Sequence, residues 1–314
     1  MGRRRKKGIP IHGWINLNKP VGVTSTQAVG KVRRALNAQK VGHGGTLDPL
    51  AEGILPIALG EATKTVNFAM DAIKTYEFEV TWGEQRSTDD AEGDVIQLSE
   101  KRPSQIDIEA ILKNYIGDIE QTPPQFSAIK IDGERAYDIA RDGETAEIKS
   151  RQVYIEDLRI LEHKEGKTSL ECICGKGTYI RSLARDMGQD LGCFGYISAL
   201  KRTSVGLFTL KDAISLDFFE QMPDNTPQED VVLPLQTVLD DIPVLALKDQ
   251  EATRLKNGQQ LSFIAKSDIE RLTQADIDWQ HKDGDIALAL CNDTPIAMVE
   301  VMGANIRSLR VFNV

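Results

Sequence analysis

Three stretches of this 314-residue chain carry residue types that could act together on a substrate. They are Val41-Gly42-His43-Gly44-Gly45-Thr46-Leu47-Asp48-Pro49-Leu50-Ala51, Lys74-Thr75-Tyr76, and Gly175-Lys176-Gly177-Thr178-Tyr179-Ile180-Arg181-Ser182-Leu183-Ala184-Arg185-Asp186. Asp48 stands in a loop thick with glycine, where backbone comes close to a ligand and a carboxylate kept ionised by a cation can serve as nucleophile or base. Arg181, at the start of a helix opened by Gly177-Thr178, is one such cation, because an opposite charge favours the carboxylate form. Spacing alone does not bring the two together. Taken singly, each residue is ordinary: Asp before Pro punctuates turns, Tyr in an alternating strand packs, and an Arg at a helix start pairs with any carboxylate nearby.

The elements that must position these residues follow from pattern. Gly13 to Leu17 reads as a strand closed by Asn18-Lys19-Pro20-Val21-Gly22, and Thr24-Ser25-Thr26 offers N-cap hydroxyls to a helix running to about Leu36. Ala28, Val29, Val32 and Leu36 give that helix its core stripe, leaving Lys31, Arg33 and Arg34 largely on the other side. Val41 to Gly60, broken by seven Gly or Pro, reads as an irregular loop around a short apolar run. Tyr76 to Trp82 alternates like a strand, Ser87 to Asp94 is an acidic turn, and Ile106 to Tyr115 is a helix ended by Gly117. Pro123 to Lys130 is extended, and Arg135 to Arg141 is helical with Gly143 beyond it. Val153 to Leu161 and Ser169 to Cys174 form a hairpin around Lys164-Glu165-Gly166-Lys167, and Thr178 to Leu191 is a helix stopped by Gly192. A linker near Asp240-Asp241-Ile242-Pro243 precedes a helix at Gln250 to Lys256 and strands at Ile286 to Leu290, Ile296 to Met302 and Leu309 to Phe312.

Composition bounds the partners. Apolar residues make up 41% and charged residues 27%, ordinary for a globular protein. No apolar run is long enough to span a bilayer, and the basic start Met-Gly-Arg-Arg-Arg-Lys-Lys is followed by no apolar segment of a secretory signal, so a cytoplasmic protein is expected. Cys172, Cys174, Cys193 and Cys291 contain no Cys-x-x-Cys pair, and His12, His43, His163 and His281 are scattered; buried free thiols and no metal are expected. The net charge of −9 is unevenly spread: residues 1–64 hold eleven Lys or Arg against three carboxylates, a balance of +8, leaving −17 for the rest. One basic face on an acidic body suits a phosphate-rich ligand, and a solvated basic tail explains the same numbers.

The run Gly42-His43-Gly44-Gly45-Thr46-Leu47-Asp48-Pro49-Leu50-Ala51-Glu52-Gly53-Ile54-Leu55-Pro56 resembles the signature of the TruB family of tRNA pseudouridine-55 synthases, of the bacterial stand-alone type. The resemblance extends in order through Leu17-Asn18-Lys19-Pro20-Val21-Gly22, Ala58 to Lys64, Pro123-Pro124, Phe126 to Lys130, Gly133 to Tyr137 and Lys176 to Arg181, covering roughly residues 13–210. It implies a nucleophilic Asp48 that attacks the sugar of a flipped uridine, a Tyr76 that stacks on the base and is a proton acceptor, and an Arg181 paired with Asp48. It further implies that Leu200 and Tyr179 line the pocket, that His43 helps extrude the nucleotide, and that Lys19 with Pro20 supports the active-site loop. The implied substrate is the T-stem-loop of tRNA, with uridine isomerised at position 55. No cofactor, metal, membrane or protein partner is called for, and a monomer is expected.

The implied fold is mixed α/β (α+β), with a largely antiparallel central sheet and flanking helices, followed by a small β-rich, PUA-like domain. The expected division is a basic tail at 1–12, a catalytic domain at 13–240 and an RNA-binding C-terminal domain at 241–314. Gly44 departs from the family's usual Thr. Its expected effect is a looser loop beside His43 and one hydroxyl fewer on the RNA-facing surface.

Overall fold

The computed structural model describes residues 8–127, 130–131, 134–135, 147–223 and 226–314. In chain order the first half runs β1 (Gly13–Lys19), α1 (Ser25–Ala35), β2 (Val41–His43), β3 (Glu52–Leu59), α2 (Val66–Asp71), β4 (Lys74–Trp82), β5 (Glu84–Arg86), β6 (Val95–Leu98), α3 (Gln105–Leu112), β7 (Gly117–Gln121), β8 (Lys130–Ile131) and β9 (Glu134–Arg135). The second half runs β10 (Arg151–Lys164), β11 (Lys167–Cys174), α4 (Ile180–Asp190), β12 (Gly195–Val205), β13 (Phe208–Thr209), β14 (Ile214–Ser215), α5 (Leu216–Gln221), β15 (Val244–Ala246), α6 (Asp249–Lys256), β16 (Leu261–Ser262), α7 (Lys266–Gln274), β17 (Asp285–Cys291), β18 (Thr294–Met302) and β19 (Asn305–Val311).

Ten strands form one sheet in the order β14-β1-β3-β12-β4-β11-β10-β7, with β2 added to β3 and β13 to β12. Only the β1–β14 and β3–β12 pairs are parallel, so the expected largely antiparallel sheet is what forms. Helix α1 begins as the sequence requires: Thr24 is the N-cap and exchanges hydrogen bonds with Gln27 in a capping box. Its Ala28 and Val32 are fully buried. The β10–β11 hairpin turns at Glu165 and Gly166, both at positive φ, as a two-residue turn between twisted strands demands.

Three readings change. The apolar run inside 41–60 is no loop but β3, buried on both faces. Leu55, Ile57 and Leu59 enter the core that holds α1, while Ile54 and Ala58 face a second cluster with Trp14. A strand covered on both sides reads as a continuous apolar run and so loses the alternation that marks a strand. Residues 8–12 are not a tail: Ile9 bridges Ala38, Ile11 is buried, and His12 Nδ1 accepts a hydrogen bond from the Glu61 amide at 3.0 Å. Residues 1–7 lie outside the described residues. In place of the expected helix start, Arg135 lies in the two-residue strand β9, and residues 136–141 lie outside the described residues.

After Pro243, five strands in the order β15-β17-β18-β19-β16 form a second sheet, the β-rich C-terminal unit. Alternation again decides which side each residue serves. Ala287, Ala289, Val299 and Val301 join α6 and α7 in a local core, whereas Leu288, Met298 and Phe312 join Trp14, Ala58 and Ala62 of the main body. Polar contacts frame the junction, with Lys64 Nζ donating to the Val311 carbonyl at 2.7 Å and the Asn313 amide donating to Glu61 Oε2 at 2.9 Å. Among the described residues no helix is long and apolar enough to cross a membrane. Because Phe312 is fully buried in this shared cluster, Phe312→Ala is expected to lower the unfolding free energy in urea by about 3–5 kcal/mol. A loss below about 1 kcal/mol, the scale of an ordinary substitution, would show that the cluster does not bear on stability.

Candidate active site

The loop between β2 and β3 is anchored on both sides of Asp48. Leu47 is buried, and its amide and carbonyl both bond to the Ser25 hydroxyl at the start of α1, at 2.8 and 2.9 Å. On the other side Asp48-Pro49-Leu50-Ala51 closes a turn, the Ala51 amide donating to the Asp48 carbonyl at 3.1 Å, with Pro49 presetting the backbone at the second position. The Gly22 amide ties the preceding turn to the Pro49 carbonyl at 2.8 Å. What remains free is the Asp48 carboxylate, 36% exposed and turned toward a cleft.

Arg181 meets it there. Its Nε lies 3.0 Å from Asp48 Oδ2, although the N–H is not aligned on that oxygen, so the contact is an ion pair with angular slack. The rest of the guanidinium is held firmly: Nη1 donates to the Thr88 carbonyl at 3.0 Å and lies 3.5 Å from Asp90 Oδ2, and Nη2 donates to the Phe126 carbonyl at 2.9 Å. Asp90 is buried and accepts from Thr88 Oγ1 at 2.5 Å and from the Glu92 amide at 3.0 Å. Two anions and two carbonyls thus offset the desolvation of one buried cation. The start of α4 is fixed by Gln121, whose amide group bonds the Tyr179 backbone N–H at 2.8 Å and C=O at 3.1 Å.

Asp48, Tyr76, Tyr179, Arg181 and Leu200 line one cleft of about 730 Å³. Tyr76 is half-buried on β4, where burial raises its hydroxyl pKa against the opposing charge of Arg202. Leu200 on β12 is buried, and the Tyr179 ring lies under the Arg151 guanidinium at 5.1 Å. Lys74, Arg151 and Lys176 add positive charge to the walls and mouth. Lys19, Pro20 and His43 do not line the cleft. Lys19 is fully buried and donates to the carbonyls of Pro20 and Val23 at 2.8 and 2.7 Å; burial lowers its pKa to about 8, with Asp48 opposing the drop. His43 sits behind the loop with Nδ1 buried and unpartnered, and burial together with Arg202 holds the ring below its ordinary value, hence neutral at pH 7.

Gly44 is corrected by its surroundings. It is buried, and a β-carbon there would come within 2.8 Å of Ala69 Cβ and 3.4 Å of Pro56 Cβ. The position faces the core beside Trp14, not an RNA-facing surface, and close packing, not looseness, is what its missing side chain permits. Residues not foreseen as part of the site are Ser25, Thr88, Asp90, Gln121 and Arg202. An acidic turn such as 87–94 ordinarily faces solvent, and only its contact with α4 distinguishes it. One turn beyond Arg181, Arg185 reaches Asp89 Oδ2 at 3.2 Å, Asp186 Oδ1 at 2.8 Å and the Thr122 carbonyl at 2.8 Å.

Burial pushes Asp89 up to about 6, with Arg185 and Arg181 opposing. A carboxyl whose folded value is raised stabilises the fold below its unfolded value and loses that contribution as pH rises through about 6. Asp89→Asn is therefore expected to gain on wild type by about 2 kcal/mol between pH 4 and pH 7 in urea unfolding. A change of opposite sign would show that the Arg185 pair outweighs burial.

Residues 33–180 match the N-terminal domain of TruB family pseudouridylate synthases, and residues 181–240 match the tRNA pseudouridylate synthase B C-terminal domain. The tRNA pseudouridine synthase B of Brucella anthropi is 52% identical over 279 residues, 82% of this chain and 86% of that protein. Its counterpart from Rhodospirillum rubrum is 45% identical over 314 residues, 99% of each chain. Among solved structures, an H/ACA RNP bound to a substrate RNA containing 2′-deoxyuridine has a chain that superposes with a TM-score of 0.69 at 22% identity, over 99% of this chain and 91% of that one, a likeness of fold. With nearly half its residues shared with relatives along the full chain, this protein belongs to the TruB family of pseudouridylate synthases.

Proposed function

We propose that the protein isomerises uridine to pseudouridine at position 55 in the T-loop of tRNA, with Asp48 as nucleophile. The observation that carries this reading is the Asp48 carboxylate at the cleft, 3.0 Å from Arg181 and walled by Tyr76 and Leu200. The tRNA substrate is supported by the relatives' names, and the cleft suits a base removed from its stack, which needs aromatic and apolar faces to offset its lost neighbours.

In the proposed sequence a carboxylate oxygen of Asp48 forms a bond to C1′ as the C1′–N1 bond breaks, its electrons leaving with uracil. The freed base turns between Tyr76 and Leu200. C5 then bonds C1′ as the ester to Asp48 breaks, C5 loses its proton, with Tyr76 as the proposed acceptor, and N1 takes up a proton. Substrate and product have the same atoms and oxidation level, so the reaction consumes no redox cofactor or nucleotide. Arg181 steadies the carboxylate when it is free, and the angular slack of that ion pair leaves the nucleophile able to move toward the sugar. Tyr179 walls the pocket. Lys19 and Pro20 brace the loop from behind, and His43, neutral and next to Gly44-Gly45, acts while the nucleotide is extruded. Residues 13–240 act as the catalytic domain. The unit at 241–314, packed on the catalytic domain through Phe312 and Met298, acts as a PUA-like grip on the RNA.

The test is pseudouridine formation in a T-stem-loop transcript. Wild-type protein is expected to convert the target uridine, whereas Asp48→Ala binds the transcript within about threefold of wild type and yields no product, since uniform binding survives loss of a nucleophile. Affinity should fall as salt rises, as phosphate contacts require. Turnover by Asp48→Ala would overturn the assigned nucleophile, and binding without product by wild type would make the chain an RNA-binding module.

A further inference from the structure

Arg202 is among the largest fully buried side chains in the protein, and it has no carboxylate partner among the described residues. Its guanidinium is spent on backbone: Nε donates to the Ile54 carbonyl at 2.7 Å, Nη2 to the Gly45 carbonyl at 3.0 Å and Nη1 to the Thr46 carbonyl at 3.5 Å. Gly45 and Thr46 are the loop residues just before Leu47 and Asp48. Arg202 is also directly opposite Tyr76 across the β12–β4 pair, so both side chains stand on one face of the sheet, and both line the cleft. On its other side β12 meets β3 at Gly53, where a β-carbon would come within 2.2 Å of the Arg202 carbonyl; the glycine, at φ 104°, lets the two strands approach that closely.

For stability alone a cation here is a poor choice. Taking a guanidinium out of water without an anion beside it is costly, and carbonyl dipoles offset only part of that cost. Its charge is felt across the site: burial is the larger cause that lowers Lys74 and His43, Arg202 adds to it, and Arg202 opposes the upward push of burial on Tyr76. We propose that Arg202 is a positioning residue for the isomerisation, fixing the Gly45–Thr46 carbonyls and hence the approach of Asp48, while holding positive charge against Tyr76. It joins the nucleophile's loop to the aromatic wall from beneath, as Arg181 joins that loop to the acidic turn from above. The proposal rests on the reading of Asp48 as nucleophile.

The test separates rate from affinity. Arg202→Met is expected to lower the single-turnover rate at saturating T-stem-loop transcript by about a hundredfold, the scale of a misplaced reacting group, with RNA affinity within about threefold of wild type. Arg202→Lys is expected to recover part of the loss, to about tenfold below wild type, because a point charge stays near Tyr76 but cannot hold both carbonyls. A merely structural residue would lower melting temperature and affinity together, with Lys no better than Met. A wild-type rate in Arg202→Met, or a loss of affinity equal to the loss of rate, would overturn the proposal. Should Arg202→Met fail to fold by circular dichroism, Arg202→Lys decides: a rate within about twofold of wild type defeats the proposal, and a tenfold loss at unchanged affinity upholds it. Asp48→Ala is run alongside. Turnover there defeats the nucleophile whatever Arg202 does, whereas an inert Asp48→Ala with a fully active Arg202→Met defeats this proposal alone.

Discussion

A buried guanidinium needs anions and carbonyls around it, and the demands of Arg181 organise the site. Its Nε faces Asp48, Nη1 faces Thr88 and Asp90, and Nη2 faces Phe126. These partners come from the loop after β2, the turn after β5 and the segment after β7, so one side chain on α4 brings four separate parts of the chain to one point. The arrangement is asymmetric in a useful way. Asp90 is buried and hydrogen-bonded, a fixed counter-ion, while Asp48 is partly exposed and joined to Arg181 by charge more than by an aligned hydrogen bond. The fixed anion offsets part of the cost of burying the cation, and the partly exposed anion keeps a side open to the cleft.

The sheet supplies the rigidity this needs. Strand β3 is buried on both faces, its odd residues against α1 and its even residues against Trp14 and the C-terminal unit. The Asp48 loop enters β3 directly, with Arg202 bonded to Ile54 in that strand and to Gly45 in that loop. Movement of the loop would therefore disturb a strand packed on both sides, and close-packed interiors resist such shifts. The C-terminal unit shares, through Phe312, Leu288 and Met298, the buried cluster that Ile54 and Ala58 of that strand face, and none of its residues lines the cleft.

Local chemistry made part of this legible from sequence. The N-cap hydroxyls of Thr24-Ser25-Thr26, the Glu165-Gly166 turn, the alternation of β4 and the apolar stripe of α1 are signals carried within a few residues. Asp48 became readable only through its ordered resemblance to a family, because an Asp-Pro turn is common. The parts that were missed depend on tertiary contact. Strand β3 hid because burial on both faces removed its period. Strand β12 hid because Lys201, Arg202, Thr203 and Ser204 look solvated, although Arg202 is buried on carbonyls contributed by residues far away in sequence. By sequence Asp90 is one more acid in an acidic turn, and the missing side chain of Gly44 reads as a looser loop with one hydroxyl fewer, whereas Ala69 and Pro56 pack against that position.

The most direct measurement of the central claim, that Arg181 presents Asp48 to the sugar of an unstacked uridine, is a crystal structure with a T-stem-loop RNA whose target nucleotide resists reaction. The expected result has the target base between Tyr76 and Leu200, and an Asp48 oxygen within about 3.5 Å of C1′, the distance of a near-attack geometry. Arg181 should still bridge Asp48 and Asp90. A target base left stacked in its helix, or an Asp48 carboxylate turned away from the sugar with Arg181 bound elsewhere, would contradict it.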